Sequence, residues 1–138
     1  MILSPRNTKY SKQQKGKTFN KINKYLTIDL VKTGAFYLRV LESGRISAKQ
    51  LETFYQAVNK YVKKTGKIIL NVFPQTPLSK KPIEVRMGKG KGSVAIWVAK
   101  IKSGSIICKV ISQFAKNTIK ALLYAKQKLP LKTKICNF

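Results

Sequence analysis

The 138-residue chain contains no histidine, so no imidazole is available as a base, proton shuttle or metal ligand. Its acids number only four, Asp29, Glu42, Glu52 and Glu84, too scattered for a carboxylate pair or a cation cage. Two cysteines, Cys108 and Cys136, are too few for a structural zinc site or a disulfide framework. Long apolar runs are missing too. The stretch from Ser105 to Ile111 is far short of the roughly 20 residues that span a bilayer. The N-terminus runs directly into Arg6, Lys9 and Lys12 with no secretory core. These absences argue against an acid/base or metal enzyme and against membrane insertion, and no catalytic residue, metal or cofactor is expected.

What is present is positive charge. Lysine and arginine total 29, for a formal net charge of +25. Such a surface repels itself until a polyanion neutralises it, and nucleic acid is the leading candidate. Of these cations 25 are lysine and 4 are arginine, and Ile, Asn, Phe and Tyr are plentiful. A/T-rich codons encode this set, which points to an A/T-biased gene.

Residues 1–24 carry Arg6, Lys9, Lys12, Lys15, Lys17, Lys21 and Lys24, no acid, and apolar residues without period. The segment reads as a disordered or extended basic arm, with Tyr10 and Phe19 placed to stack on bases. A merely solubilising tail is the plainer alternative. Residues 25–138 read as one globular domain.

Alternation predicts strands over Tyr25–Leu30 and Ala35–Leu41, with Phe36, Leu38 and Val40 on one face and Tyr37 and Arg39 on the other. Ser43-Gly44 marks a turn. Ser47 and Gln50 form a capping box, Ile46 staples onto Leu51, and Leu51, Phe54, Tyr55, Val58, Tyr61 and Val62 follow at helical spacing to a stop at Gly66. Lys60, Lys63 and Lys64 crowd the last turn, as a solvated face or an RNA contact. Lys67–Phe73 reads as a mostly buried strand, and residues 74–93 as a long loop. Lys102-Ser103-Gly104 signals a hairpin between Val94–Ile101 and Ser105–Ile111. Ser112 is placed to cap a second helix with Ala115, Ile119, Leu122 and Leu129 on its inner side, ended by Pro130. Leu131–Cys136 closes the chain as a strand. The order predicts an α+β fold, two helices over a largely antiparallel sheet.

Within the long loop lies Arg86-Met87-Gly88-Lys89-Gly90-Lys91-Gly92-Ser93. Glycines at alternate positions allow positive φ and close approach to phosphate, while Lys89 and Lys91 supply charge. Arg86 can fork across a phosphate or stack on a base. No Gly-Lys-Ser/Thr triplet occurs, and Ser93 stands where a dinucleotide fingerprint needs its third glycine, so nucleotide hydrolysis is disfavoured. A loop threaded into folded RNA fits better. Cys108 alternates within an apolar strand as a reduced, buried small hydrophobe, and Trp97 suits either the core or a boundary with RNA.

Several blocks together resemble large-subunit ribosomal protein L-sixteen. They are Thr8-Lys9-Tyr10, Lys15-Gly16-Lys17, Gly44 to Glu52, Gly66-Lys67-Ile68, Val72-Phe73-Pro74, Arg86 to Gly92, Trp97-Val98-Ala99 and Lys128 to Lys134. The resemblance implies an α+β sandwich with a basic N-terminal extension and a long glycine-rich loop, a structural constituent of the large subunit. It implies large-subunit rRNA, tRNA and neighbouring ribosomal proteins as partners, with no homo-oligomer.

It further implies a position near the peptidyl transferase centre, where the protein helps shape the aminoacyl-tRNA site. Arg86, Met87, Gly88, Lys89, Gly90, Lys91 and Gly92 would lie close to tRNA. The rRNA contacts would fall to Arg6, Lys9, Tyr10, Lys12, Lys15, Lys17, Lys63, Lys64, Lys80, Lys81, Lys132 and Lys134. The segment Lys109–Lys116 departs from the family pattern, and Thr18–Lys32 matches it weakly. A family match starting in the first residues, with A/T-type composition, makes a mitochondrion the expected location, with plastid and bacterial cytoplasm as alternatives. The competing reading is a free-standing cationic protein that compacts nucleic acid or acts on membranes, which needs the charge and not the blocks.

Overall fold

A computed structural model describes residues 3–18, 35–63 and 65–137. The strand expected over Tyr25–Leu30 lies outside the described residues, as does Lys64. From Ala35 onward the order is β1 (Phe36–Val40), β2 (Gly44–Ser47), α1 (Ala48–Val62), β3 (Gly66–Leu70), β4 (Thr76–Ser79), β5 (Val94–Ile101), β6 (Ile106–Ser112), α2 (Ala115–Lys126) and β7 (Thr133–Asn137). The α+β expectation holds. The strands divide into a four-stranded sheet, β3-β6-β1-β7, and a three-stranded sheet, β2-β5-β4, with every pairing antiparallel.

Turn chemistry misled in one respect. Lys102-Ser103-Gly104 does reverse the chain, but β5 and β6 belong to different sheets and do not pair. Gly104 N–H donates to the Val40 carbonyl (2.7 Å) and Val40 N–H to the Ser105 carbonyl (2.9 Å), so β1 holds the turn at the crossing point. The β1–β2 connection switches sheets in the same way. Two four-residue strands also emerge where a turn and a loop were expected, β2 at Gly44–Ser47 and β4 at Thr76–Ser79.

The first helix forms as its sequence dictates. Gln50 N–H donates to Ser47 Oγ (3.3 Å) and Ser47 N–H to Gln50 Oε1 (2.9 Å), closing the capping box. Ile46 and Leu51 are fully buried in one cluster with Phe54, Val58 and Val62. Tyr61 does not join them. It is exposed and meets Tyr124 of α2 edge-on at 6.1 Å. Gly66 is not the helix stop, because it already opens β3. A Cβ there would lie 2.2 Å from the Ile111 carbonyl oxygen, so β3 can approach β6 only with glycine at that place. β3 itself is an edge strand and largely exposed, where a mostly buried one was expected. β-branched residues favour strands without saying whether the strand is central or at an edge.

The second helix departs further. Phe114, not Ser112, occupies its N-cap and no side chain caps it, while Ser112 ends β6 and accepts from Phe114 N–H (3.3 Å). Its inner face is Thr118, Ala121, Leu122 and Ala125, and Ala115 and Ile119 turn outward. Thr118 tolerates burial because its hydroxyl donates to the Phe114 carbonyl (3.0 Å). Both helices pack on a core that also takes Phe36, Leu38 and Val40 of β1, Val110 of β6 and Leu129. Tyr37 lies on the face opposite Phe36, Leu38 and Val40, as the alternation predicts, and is buried there with Ala35 and Ile106 in a second, smaller cluster.

Candidate nucleic-acid interface

The glycine-rich segment is built on the three-stranded sheet. β4 pairs with β5 from Thr76↔Val98 to Ser79↔Val94, and Lys80 N–H then donates to the Ser93 carbonyl (3.1 Å). The strand pair therefore continues one step and closes the loop at its base, leaving residues 81–92 to project. Gly92 has its own role here, since a Cβ would lie 2.6 Å from the Lys80 carbonyl oxygen. At the tip Gly88 (φ 98°), Lys89 (φ 51°) and Gly90 (φ 88°) all take the left-handed region. Glycine adopts it freely and a non-glycine residue seldom does, so the reversal is tight. Lys81 Nζ donates to the Gly88 carbonyl across the loop. Arg86, Met87, Lys89 and Lys91 are exposed, and Met87 and Ile83 almost completely so.

The basic arm comes to the same place. Residues 3–18 form neither helix nor strand, in keeping with an extended arm, but they are tied down. Leu3 is buried in the main core. Arg6, Lys9, Tyr10, Lys12, Lys15 and Lys17 are all exposed, with Lys9 Nζ 5.6 Å from the Tyr10 ring centroid. Lys12 Nζ donates to the Lys91 carbonyl (2.8 Å), and Lys91 Nζ donates to the Gln13 carbonyl (2.6 Å). Further along, Arg45 of β2 donates through Nη2 to the Gly16 carbonyl (2.5 Å). Arm and loop are thus joined, and the arm is held at two places, at Lys91 of the loop and at Arg45 of β2, which pairs with Lys100 of β5.

The remaining candidates divide. Lys80 and Lys81 stand at the loop base, but Lys63 follows α1 next to edge strand β3. Lys132 and Lys134 lie at β7, the opposite edge of the four-stranded sheet. Lys132 N–H donates there to Glu42 (2.8 Å). Arg45 was not singled out as a site residue, although it anchors the arm. Its guanidinium Nε is buried and unpartnered. The clue was its rarity, one of four arginines in a lysine-rich chain.

The two cysteines are free. Cys108 pairs with Leu38 and Cys136 with Tyr37, and successive residues of β1 point to opposite faces, so the thiols lie on opposite faces of the sheet. Burial pushes the Cys108 thiol up to about 12, against a smaller lowering by a hydrogen bond with the Leu38 backbone. Among the described residues no group of acids or cysteines is placed to hold a metal ion, and no helix is long and apolar enough to cross a membrane.

A cationic arm and loop joined on an α+β domain suit a structural protein that binds nucleic acid. Residues 5–136 match the family model described as Ribosomal protein L16p/L10e, and the chain belongs to that family. It is a structural constituent of the large ribosomal subunit, in a family of structural proteins and not of enzymes.

Proposed function

We propose that the chain binds large-subunit rRNA through its arm and loop base, and that the glycine loop faces the aminoacyl-tRNA near the peptidyl transferase centre. The arm of residues 1–24 would run between rRNA helices, with Arg6, Lys9, Lys12, Lys15 and Lys17 on phosphates and Tyr10 available for stacking. Arg86, Met87, Lys89 and Lys91 would form the part turned toward tRNA. The observation that carries this reading is the pair of bonds across the two segments, from Lys12 to the Lys91 carbonyl and from Lys91 to the Gln13 carbonyl. They support one binding surface in place of two independent ones. Lys63, Lys132 and Lys134 would then meet other rRNA segments at the two sheet edges.

The A/T-type composition, 25 lysines to 4 arginines, supports a mitochondrial location within this reading. Replacing Arg86 and Lys89 together tests the division of labour. Subunits should assemble and sediment normally while aminoacyl-tRNA accommodation slows. Too few subunits, with normal accommodation on those that do form, would assign the loop to assembly instead.

A further inference from the structure

Between β3 and β4 the chain runs extended through Asn71-Val72-Phe73-Pro74-Gln75, and its burial alternates. Asn71, Phe73 and Gln75 are exposed, while Pro74 is buried and Val72 packs on the core. Residues two apart in an extended chain share a side, so an aromatic ring stands between two amides on one face. Those three residues line a cleft of about 300 Å3. This is the small end of the roughly 300–1,000 Å3 range of ligand sites. Its other lining includes Ala99 and Ile101 of β5 and Ile106 of β6, all buried. The cleft sits at the crossing from one sheet to the other, where β5 and β6 part.

The chemistry selects an occupant. Phe73 is 41% exposed and offers a ring face for stacking. Asn71 and Gln75 each present a donor pair and an acceptor, the set that matches a base edge. Lys100 borders the cleft and no acid among the described residues does, in a chain of charge +25. A polar, aromatic, cation-bordered opening suits RNA better than an apolar protein side chain. We infer that this cleft receives one unpaired nucleobase of RNA, stacked on Phe73 with its edge against the Asn71 and Gln75 amides. The inference rests on the rRNA-binding reading above and adds a base-specific site to its phosphate contacts.

The test uses the full chain and a single-stranded ribohexanucleotide carrying one fluorescent 2-aminopurine, which is quenched on stacking. Binding should quench it. Phe73→Ala should weaken binding about ten-fold, in the range that loss of one base–aromatic stack produces, and should abolish the quench. Phe73→Tyr should retain both, and Gln75→Ala should alter preference among bases while leaving the salt dependence unchanged. Equal affinity and quench in wild type and Phe73→Ala would overturn the cleft and leave the arm-based reading standing. Failure of the wild-type chain to bind the oligonucleotide even at low salt would overturn both. If Phe73→Ala binds RNA normally but loses a neighbouring ribosomal protein, the occupant is protein and the inference fails.

Discussion

Lys12 and Lys91 each place their ammonium on the other's segment: Lys12 Nζ on the Lys91 carbonyl, and Lys91 Nζ on the carbonyl of Gln13. Each ammonium faces a carbonyl dipole of the other segment. The arrangement spends two cations on internal bonds in a chain that has few acids to offer them. Its consequence is that the arm's path depends on the loop.

Removing both ammonium groups should therefore release the arm without unfolding the domain, since Lys91→Ala alone leaves Lys12 on the backbone carbonyl of residue 91. Both bonds are exposed, so the effect on global stability should be small, under about 1 kcal/mol. In the double variant Lys12→Ala with Lys91→Ala, limited proteolysis followed by mass spectrometry should show faster cleavage among Lys9, Lys15 and Lys17, with an unchanged melting temperature. Equal cleavage rates in both proteins would mean that Arg45 and Leu3 suffice to hold the arm.

The arm's charge has its own signature. Neutralising Lys9, Lys12, Lys15 and Lys17 to alanine should flatten the salt dependence of rRNA binding, since each lost phosphate contact removes about 0.7 to 0.9 from the log–log slope. A reduction of up to about 3.6 is expected from titrations across a salt series. Deleting residues 1–17 is the poorer experiment, because it also removes buried Leu3 and so mixes a packing loss with the electrostatic one. An unchanged slope in the alanine variant would take the arm off the phosphates.

These relationships show where the sequence was legible. The capping box of Ser47 and Gln50 and the stripe Leu51, Phe54, Val58 and Val62 are local, so spacing alone located α1. The glycine loop was legible for the same reason: φ > 0 at Gly88 and Gly90 is a demand of the local backbone. Sheet membership was not. A turn such as Lys102-Ser103-Gly104 says that the chain reverses, but the neighbours of β6 are chosen by non-local packing, and they are β1 and β3. The face of α2 was misjudged because Ile119 looks apolar enough for the core, while Thr118 is admitted only through its bond to the Phe114 carbonyl. The tie between Lys12 and Lys91 joins positions 79 residues apart and uses lysine against carbonyl, a pairing with no sequence pattern.

Glycine substitutions should separate packing from conformation. At Gly66 a Cβ would strike the Ile111 carbonyl oxygen and the β-carbon of Ser112, both within 3 Å, so Gly66→Ala must push β3 from β6. A loss of about 1–3 kcal/mol is expected, read as a lowered melting temperature. Gly88 has open space around it but φ of 98°, so Gly88→Ala strains the loop alone. Its melting temperature should stay near wild type while the loop's amide exchange quickens. Equal melting temperatures for the two variants would show that β3 can shift freely.

Cys108 should govern part of the alkaline limb of stability. Its thiol has an ordinary value of 9.0 and is raised by burial to about 12. Between those values the unfolded chain has lost the proton and the folded chain keeps it, so folding becomes less favourable as pH rises. The stabilisation is complete below pH 9 and is progressively lost toward pH 12, at up to about 1.4 kcal/mol per pH unit. The informative quantity is a difference between two proteins. Denaturant unfolding of wild type and Cys108→Ala should be compared at pH 8.5 and at pH 10.5. The gap between them should narrow at the higher pH, because the alanine variant has no thiol to hold protonated. A constant gap would mean that the thiol ionises in the folded state as readily as in the unfolded one, and that the strand around Leu38 and Cys108 opens to solvent.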